Sequence, residues 1–134
     1  MNVLLDTHIV LAAIEERLDR LPDNFRRLLA DPGPSIWVSV TSLWEVEIKS
    51  RIGKLDVPIP LTQWPDALFL LGVQLIGIEF QHVVAKIGPE PPTKDPFDRL
   101  LLGVCAAEKL QLVTMDRALS GHHLAWRDIP LKKK

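Results

Sequence analysis

Two acidic residues stand where short apolar runs end, near opposite ends of the chain. Asp6 closes the run of residues 2–5, and Asp116 follows the run of residues 110–115. Such runs predict buried parallel strands, and open α/β sheets place ligands at the carboxyl ends of their strands. We therefore expect both carboxylates at one edge of a sheet. Each could instead cap the following helix, as Asp commonly does, although Thr7 could cap the first helix without Asp6.

Asp98 is predicted to point toward the same sheet from a helix. Residues three, four and seven positions further on share its helical face, and they form an apolar stripe of Leu101, Leu102 and Cys105. A carboxylate on that face is unfavourable unless it is paired or bound to a metal ion. The alternative is a first-turn acid stabilised by the helix dipole, a role that suits Asp95 better as the helix N-cap.

Glu45 lies about one turn into the helix predicted after the second strand. Lys49 follows four residues later, so an exposed Glu–Lys pair is one interpretation. Glu45 also borders the apolar stripe Trp44, Ile48 and Ile52. A residue one turn beyond a strand is well placed to lean over the strand ends, which is the second interpretation.

Four acids from separate elements are thus predicted at one end of the sheet. They are Asp6, Glu45, Asp98 and Asp116. Four carboxylates cannot stay ionised side by side without cations. Ligand sets made only of oxygen select hard ions, Mg²⁺ or Mn²⁺, and such sites position water and stabilise a leaving group on phosphorus. The implied reaction is metal-assisted hydrolysis of a phosphodiester.

Alternating strands and helices predict a three-layer α/β/α sandwich with a central, mainly parallel sheet. Strands are expected at residues 3–5, 36–40, 73–78 and 112–114, with a candidate edge strand at 124–126. Helices are expected at residues 7–18, 25–30, 41–51, 61–71, 81–87, 97–109 and 117–120. Thr41 or Ser42 would cap the third of these, and Gly53 suits the position after its end. We expect one domain over residues 1–131 and a basic, solvated tail at 132–134.

Composition excludes several classes of protein. The chain has 134 residues, 47% of them hydrophobic, which argues for one folded domain and against general disorder. No apolar run approaches the roughly 18 residues of a membrane span, and the N-terminus lacks a secretory signal. The lone Cys105 fits a reducing cytoplasm and a core position. Because the net charge is −1, a nucleic-acid partner needs a local basic surface or metal ions.

Other motifs carry less chemistry. The four histidines show no zinc spacing, and there is no glycine-rich phosphate loop. The tryptophans Trp37, Trp44, Trp64 and Trp126 are expected mostly in the core, although one on a concave face could stack a base. Lys49, Arg51, Lys54, Arg99 and Arg117 could contact phosphates or form a solvated helix face.

The chain resembles the PIN-domain ribonucleases, in particular the VapC toxins of VapBC toxin–antitoxin modules. The resemblance is carried by residues 4–8 (Leu-Leu-Asp-Thr-His), 38–49 (which include Ser-Leu-Trp-Glu), 94–102 (which include Asp-Pro-Phe-Asp-Arg) and 112–116 (Leu-Val-Thr-Met-Asp). A Gly-Lys-Leu at 53–55 also matches. The matching segments span nearly the whole chain in the right order. Many relatives have His where this chain has Thr93, a difference expected to affect substrate preference rather than activity.

The resemblance implies an endoribonuclease of a type II toxin–antitoxin system. It implies an acidic quartet at Asp6, Glu45, Asp98 and Asp116, Mg²⁺ or Mn²⁺ at Asp6, Asp98 and Asp116, a homodimer, and a neutralising VapB-like antitoxin. Thr7, Ser39 and Thr114 match hydroxyl positions that support the acids or the metal's water, and Arg99 matches the basic residue after the third acid. Two other classes compete with this hypothesis: a catalytically silent PIN domain that binds protein or RNA, and a flavodoxin-like signalling domain. The absence of adjacent acids after the first strand argues against the second.

Overall fold

A four-stranded parallel sheet organises the chain in the computed structural model, which describes residues 2–127. The strands are β1 (Asn2–Leu5), β2 (Ser35–Ser39), β3 (Gln74–Ile76) and β4 (Gln111–Val113), in the order β3-β2-β1-β4. All three strand pairs are parallel, so the carboxyl ends of the strands share one edge, as predicted. The predicted tail at residues 132–134 lies outside the described residues.

Helices cover both faces of this sheet. They are α1 (Thr7–Ile14), α2 (Asp23–Ala30), α3 (Val40–Arg51), α4 (Trp64–Leu70), α5 (Phe80–Val84), α6 (Pro96–Glu108) and α7 (Arg117–Ser120). Short 3₁₀ segments precede α2 and α4 at Leu18–Arg20 and Leu61–Gln63. Over residues 2–127 no helix has the length and apolar character that a bilayer crossing requires.

The core divides into two layers because side chains alternate across each strand. On β1, Val3 and Leu5 face a cluster that includes Ile9 of α1 and Leu68 of α4. Leu4 faces the opposite cluster, whose other members include the predicted α6 stripe of Leu101, Leu102 and Cys105. The three-layer α/β/α prediction is confirmed. Burial raises the pKa of the Cys105 thiol, so this residue is a core side chain rather than a nucleophile.

Helix α5 packs very closely on α6. A Cβ at Gly103 would overlap the backbone carbonyl oxygen of His82. His82 itself is fully buried: its Nδ1 accepts the Glu79 N–H at 3.0 Å, and its Nε2 lies 2.7 Å from the Glu108 carboxylate. Glycine is therefore needed at position 103 for close approach between the two helices.

Several predicted elements are shorter than expected, including the third strand, which spans Gln74–Ile76 rather than residues 73–78. Helix α1 ends at Ile14 rather than near residue 18, because Glu16 has a φ of 56° and Arg17 N–H closes onto the Ala12 carbonyl. The edge strand predicted at residues 124–126 is wrong. That segment meets β4 only through a single bridge between Leu112 and Ala125, so no strand forms there.

The start of α3 also differs from the prediction. Its N-cap is Ser39, whose hydroxyl accepts the Thr41 N–H at 2.9 Å, so the predicted caps at Thr41 or Ser42 are wrong. Both of those side chains are buried instead. At the other end Gly53, with a φ of 79°, follows the last turn as predicted.

Candidate functional site

Asp6 lies at the junction of β1, β4 and α1. Its backbone N–H donates to the Val113 carbonyl at 2.9 Å, which holds the ends of β1 and β4 together. Its side chain is only 4% exposed. Oδ1 accepts the Thr7 N–H at 2.7 Å and caps α1, while Oδ2 accepts the Thr114 hydroxyl at 2.6 Å. Burial is the main cause that raises the pKa of Asp6. Of the two residues that could have capped α1, Asp6 is the cap and Thr7 is not.

Thr114 connects the acids at the two strand ends. Its hydroxyl donates to Asp6 and accepts the Asp116 N–H at 3.0 Å. Asp116 is exposed, and its Oδ1 accepts the Ala118 N–H at 2.8 Å as the N-cap of α7. Capping and proximity to the site therefore coexist at both Asp6 and Asp116.

Glu45 faces inward from α3 and is held at both oxygens. Glu45 is only 5% exposed. Oε1 accepts the Thr7 hydroxyl at 2.7 Å, and Oε2 accepts from Lys49 Nζ at 2.5 Å. Thr7 Oγ1 also lies 3.0 Å from the Ser42 hydroxyl. The Glu–Lys pair exists, but its carboxylate is buried, so the interpretation as an exposed pair is wrong.

Asp98 lies in the first turn of α6 and is half-buried. Its Oδ2 accepts the Thr93 hydroxyl at 3.3 Å. Asp95 caps the helix by accepting the Phe97 N–H at 2.8 Å, as predicted. Burial raises the pKa of Asp98 to about 7, with added contributions from the charges of Asp95, Asp6, Asp116 and Glu45. Asp6, Asp116 and Glu45 are therefore each within electrostatic range of Asp98.

Their donor chemistry fits a hard cation, since every side chain offers carboxylate oxygens from a different element. The spacing is wider than a ligand shell: within residues 2–127 no three His, Cys, Asp or Glu side chains are close enough together to hold a metal ion. Mutual repulsion, which the raised pKa of Asp98 reflects, is what a bound cation would offset.

The basic residues fall into three groups. Lys49 contacts an acid of the site, whereas Arg51 pairs with Glu47 at 3.2 Å and Arg99 pairs with Glu90 at 3.1 Å. Lys54 and Arg117 are exposed. Ser39 is fully buried, and its hydroxyl bonds with Thr41 at the start of α3 rather than with an acid of the quartet.

The apolar stripe predicted beside Glu45 is largely exposed. Trp44 is 49% exposed and Ile52 is 60% exposed, while Ile48 is half-buried. The inward face of α3 carries three polar residues and one apolar residue instead: Thr41, Ser42, Glu45 and Val46. The Trp44 ring meets Phe97 edge-on, with ring centroids 5.0 Å apart. Trp44 and Phe97 each directly precede an acid of the quartet, so this aromatic pair borders the site.

Sequence reasoning missed two contributors to the site. Thr93 was singled out only as a difference from related chains, yet it donates to Asp98. Asp95 was assigned to capping alone, yet after burial its charge is the largest contribution to the raised pKa of Asp98. The spacing 93, 95, 98 around a helix start was the available signal for both.

A family model described as PIN domain matches residues 3–122. The chain belongs to the PIN domain family. This PIN domain is also similar to a chain in the crystal structure of VapBC2 from Rickettsia felis bound to a DNA fragment from their promoter. The TM-score is 0.57 with 20% sequence identity, and the match covers 93% of this chain and 96% of that one. At that identity the similarity concerns the fold. Comparison with curated proteins gives no match.

Proposed function

We propose that this PIN domain is a Mg²⁺-dependent endoribonuclease and the VapC-like toxin of a type II toxin–antitoxin system. The observation that carries the proposal is a continuous chain of hydrogen bonds, Glu45–Thr7–Asp6–Thr114–Asp116, at the carboxyl edge of the sheet. Asp98 faces this chain from α6 and is coupled to it by charge. Hydroxyl groups thus orient the acids from both strand ends, as a cation site with fixed ligands requires.

Each acid has a distinct role in the proposal. Asp6, Asp98 and Asp116 would hold the cation, and their carboxylates would have to draw closer together to share it. Mn²⁺ is a suitable substitute for Mg²⁺. Glu45 helps orient the attacking water. When bound, the ion stabilises the charge that develops on the phosphate oxygens. The hydrogen bonds that Thr7 and Thr114 make to Glu45 and Asp6 support a preorganised site.

A VapB-like antitoxin is the proposed partner, and the substrate is RNA. A groove beside the acids is the proposed binding site for an inhibitory segment of that partner. It is lined by His8 and Leu11 of α1 together with Leu21, Leu55 and Met115. His8 and Met115 lie two residues after Asp6 and one before Asp116, so a segment in this groove would reach the site.

The proposal also includes a homodimer in the cytoplasm. Large apolar side chains are exposed on α4, which packs on β3, and on α5, which follows β3 in the chain and packs on α6. They include Phe69, Leu70, Phe80 and Val83, and they are the surface we assign to a second copy of the chain. The free, buried Cys105 supports a reducing compartment.

The test is cleavage of total cellular RNA in Mg²⁺, with mapping of the cut sites. We expect wild-type protein to cut and Asp6→Asn and Asp98→Asn to lose cleavage while keeping their fold, judged by circular dichroism. Asp66→Asn, an exposed acid on α4, is the matched control and should retain full activity. Full activity in either site variant would refute the assignment. RNA binding without any cleavage would favour the silent PIN domain.

A further inference from the structure

The Lys49 ammonium is hydrogen-bonded to an acid of the quartet. Lys49 Nζ lies 2.5 Å from Glu45 Oε2, and the Lys49 side chain is 39% exposed, against 7% for that of Glu45. The ammonium thus contacts a buried carboxylate, while the Lys49 side chain is partly exposed at the surface of the site. Because the Thr7 hydroxyl holds the other Glu45 oxygen, the carboxylate is fixed on both sides.

The ammonium faces several acids rather than one. The pKa of Lys49 is raised, first by its hydrogen bond to Glu45 and then by the charges of Glu45, Asp95 and Asp98, which outweigh the lowering by burial. Lys49 therefore stays charged, and the charges of the two acids at the start of α6 act on it together with that of Glu45. Arg51, two residues on, shows the contrasting behaviour, since it pairs with Glu47 on the exposed face of the helix.

An ammonium in this position has bonding capacity to spare. Lysine carries three N–H donors on a compact charge, and one of them is used by Glu45. Among residues 2–127 Glu45 is the hydrogen-bond partner of this ammonium, so the remaining two donors are available to an anion that enters the site. A phosphate oxygen is the anion that a cation-binding nuclease site must accept, and its charge grows as the reaction proceeds.

We propose that Lys49 is a catalytic residue that contacts a non-bridging oxygen of the scissile phosphate, and that Glu45 is the positioning residue that holds it. Glu45 then acts through Lys49 in addition to orienting the attacking water, and it is not a ligand of the metal ion. The inference rests on the proposed nuclease function and deepens it, because it separates Lys49 from the other basic residues, which would only follow the RNA backbone.

Cleavage under single-turnover conditions tests this role. The probe is a labelled RNA oligonucleotide that spans a site mapped on total RNA. At saturating enzyme, Lys49→Met should lower the cleavage rate about 100-fold, as loss of a donor to a developing charge does, while RNA affinity measured in Ca²⁺ changes little. Lys86→Met, an exposed lysine outside the site, is the matched control and should cut at the wild-type rate. Lys49→Arg should recover part of the rate because it keeps the charge.

Binding of Mn²⁺, followed by calorimetry without RNA, is the second measurement. Removal of a neighbouring positive charge should leave Mn²⁺ affinity unchanged or increase it in Lys49→Met, whereas Asp98→Asn should decrease it. If Lys49 only holds the site together, Lys49→Met would lose cleavage and Mn²⁺ affinity together, and the proposal would be wrong. Lys49→Gln replaces Lys49→Met if that variant does not fold.

The outcomes separate the two proposals. If the wild-type protein cuts RNA and Lys49→Met is equally active, the role of Lys49 is overturned and the nuclease assignment stands. Wild-type protein that fails to cut any RNA in Mg²⁺, alongside an identical Asp98→Asn, would overturn the nuclease and the role of Lys49 with it.

Discussion

The Thr114 hydroxyl donates a hydrogen bond to Asp6 Oδ2 at 2.6 Å, across the adjoining ends of β4 and β1. The Thr114 hydroxyl oxygen also accepts the Asp116 N–H. One hydroxyl thus sets the orientation of one acid and the backbone position of another, from residues 108 positions apart in sequence.

Replacement of Thr114 by Val tests this arrangement. The variant keeps the side-chain shape but leaves a buried Asp6 oxygen and the Asp116 N–H without their partner, so the free energy of unfolding should fall by about 1–3 kcal/mol. Urea denaturation measures this loss. Thr62→Val, on an exposed 3₁₀ segment, should change stability by less than about 0.5 kcal/mol. Equal stability of the two variants would show that the Thr114 bond contributes nothing.

The raised pKa of Asp98 predicts how stability depends on pH. Between the ordinary value of 3.8 and about 7, the folded protein holds a proton on Asp98 that the unfolded chain releases. The free energy of unfolding in EDTA should therefore fall as pH rises through this window. Asp98→Asn should flatten that slope, whereas Asp66→Asn should keep it. Parallel profiles for wild type and Asp98→Asn, from urea melts at pH 5 to 8, would contradict the prediction.

Divalent ions should have the opposite effect on the pH dependence of stability, because their stabilisation should increase with pH. A cation that binds the folded protein raises its melting temperature, and the effect should grow from pH 5 to pH 8 because Asp98 must lose its proton to bind an ion. Thermal melts with Mn²⁺ or EDTA measure this difference. Asp98→Asn should show little response at either pH. A Mn²⁺ shift of equal size in that variant would place the ion elsewhere.

Trp44 is expected to stack a base of the RNA. Its exposed ring is held edge-on by Phe97 beside the acids, and base–aromatic stacking contributes about 1–3 kcal/mol. Trp44→Ala should weaken RNA binding in Ca²⁺ accordingly, as measured by fluorescence anisotropy, and Trp44→Phe should retain part of it. A change in oligomeric state with unchanged RNA affinity would instead assign Trp44 to a protein contact.

Gly103 and Gly121 form a matched pair for the packing of α5 on α6. A methyl group at Gly103 meets the His82 carbonyl, whereas one at Gly121 meets open space. Gly103→Ala should destabilise the fold by about 3 kcal/mol, the upper end of the usual range for an overpacked core. Gly121→Ala should leave the unfolding midpoint in urea almost unchanged. Similar midpoints would show that the two helices separate easily.

Much of the fold could be predicted because strand burial and helix periodicity are local properties of the sequence. The apolar runs gave four parallel strands, and the stripe at Leu101, Leu102 and Cys105 gave the inward face of α6. Asp98 continues that stripe, so its half-buried position was predictable as well. The PIN family followed from the same segments.

The errors concern competition between nearby polar groups. Asp6 rather than Thr7 caps α1, because the Thr7 hydroxyl is used by Glu45, 38 positions away. Ser39 rather than Thr41 caps α3, and the two hydroxyls bond to each other. Helix α3 exposes Trp44 because its inward face carries Thr41, Ser42 and Glu45 beside the apolar Val46.

The close contact at Gly103 also fixes the register of α6. The residues on either side of Gly103 carry large side chains, so a shift of the helix by one position would drive one of them into the His82 carbonyl. Asp98 lies five residues earlier on the same rigid rod, about 7.5 Å along its axis. The position of the Asp98 carboxylate over the sheet is thus fixed by a contact that lies outside the site. Substitutions in α5 that move His82 should displace Asp98 without altering any acid of the quartet.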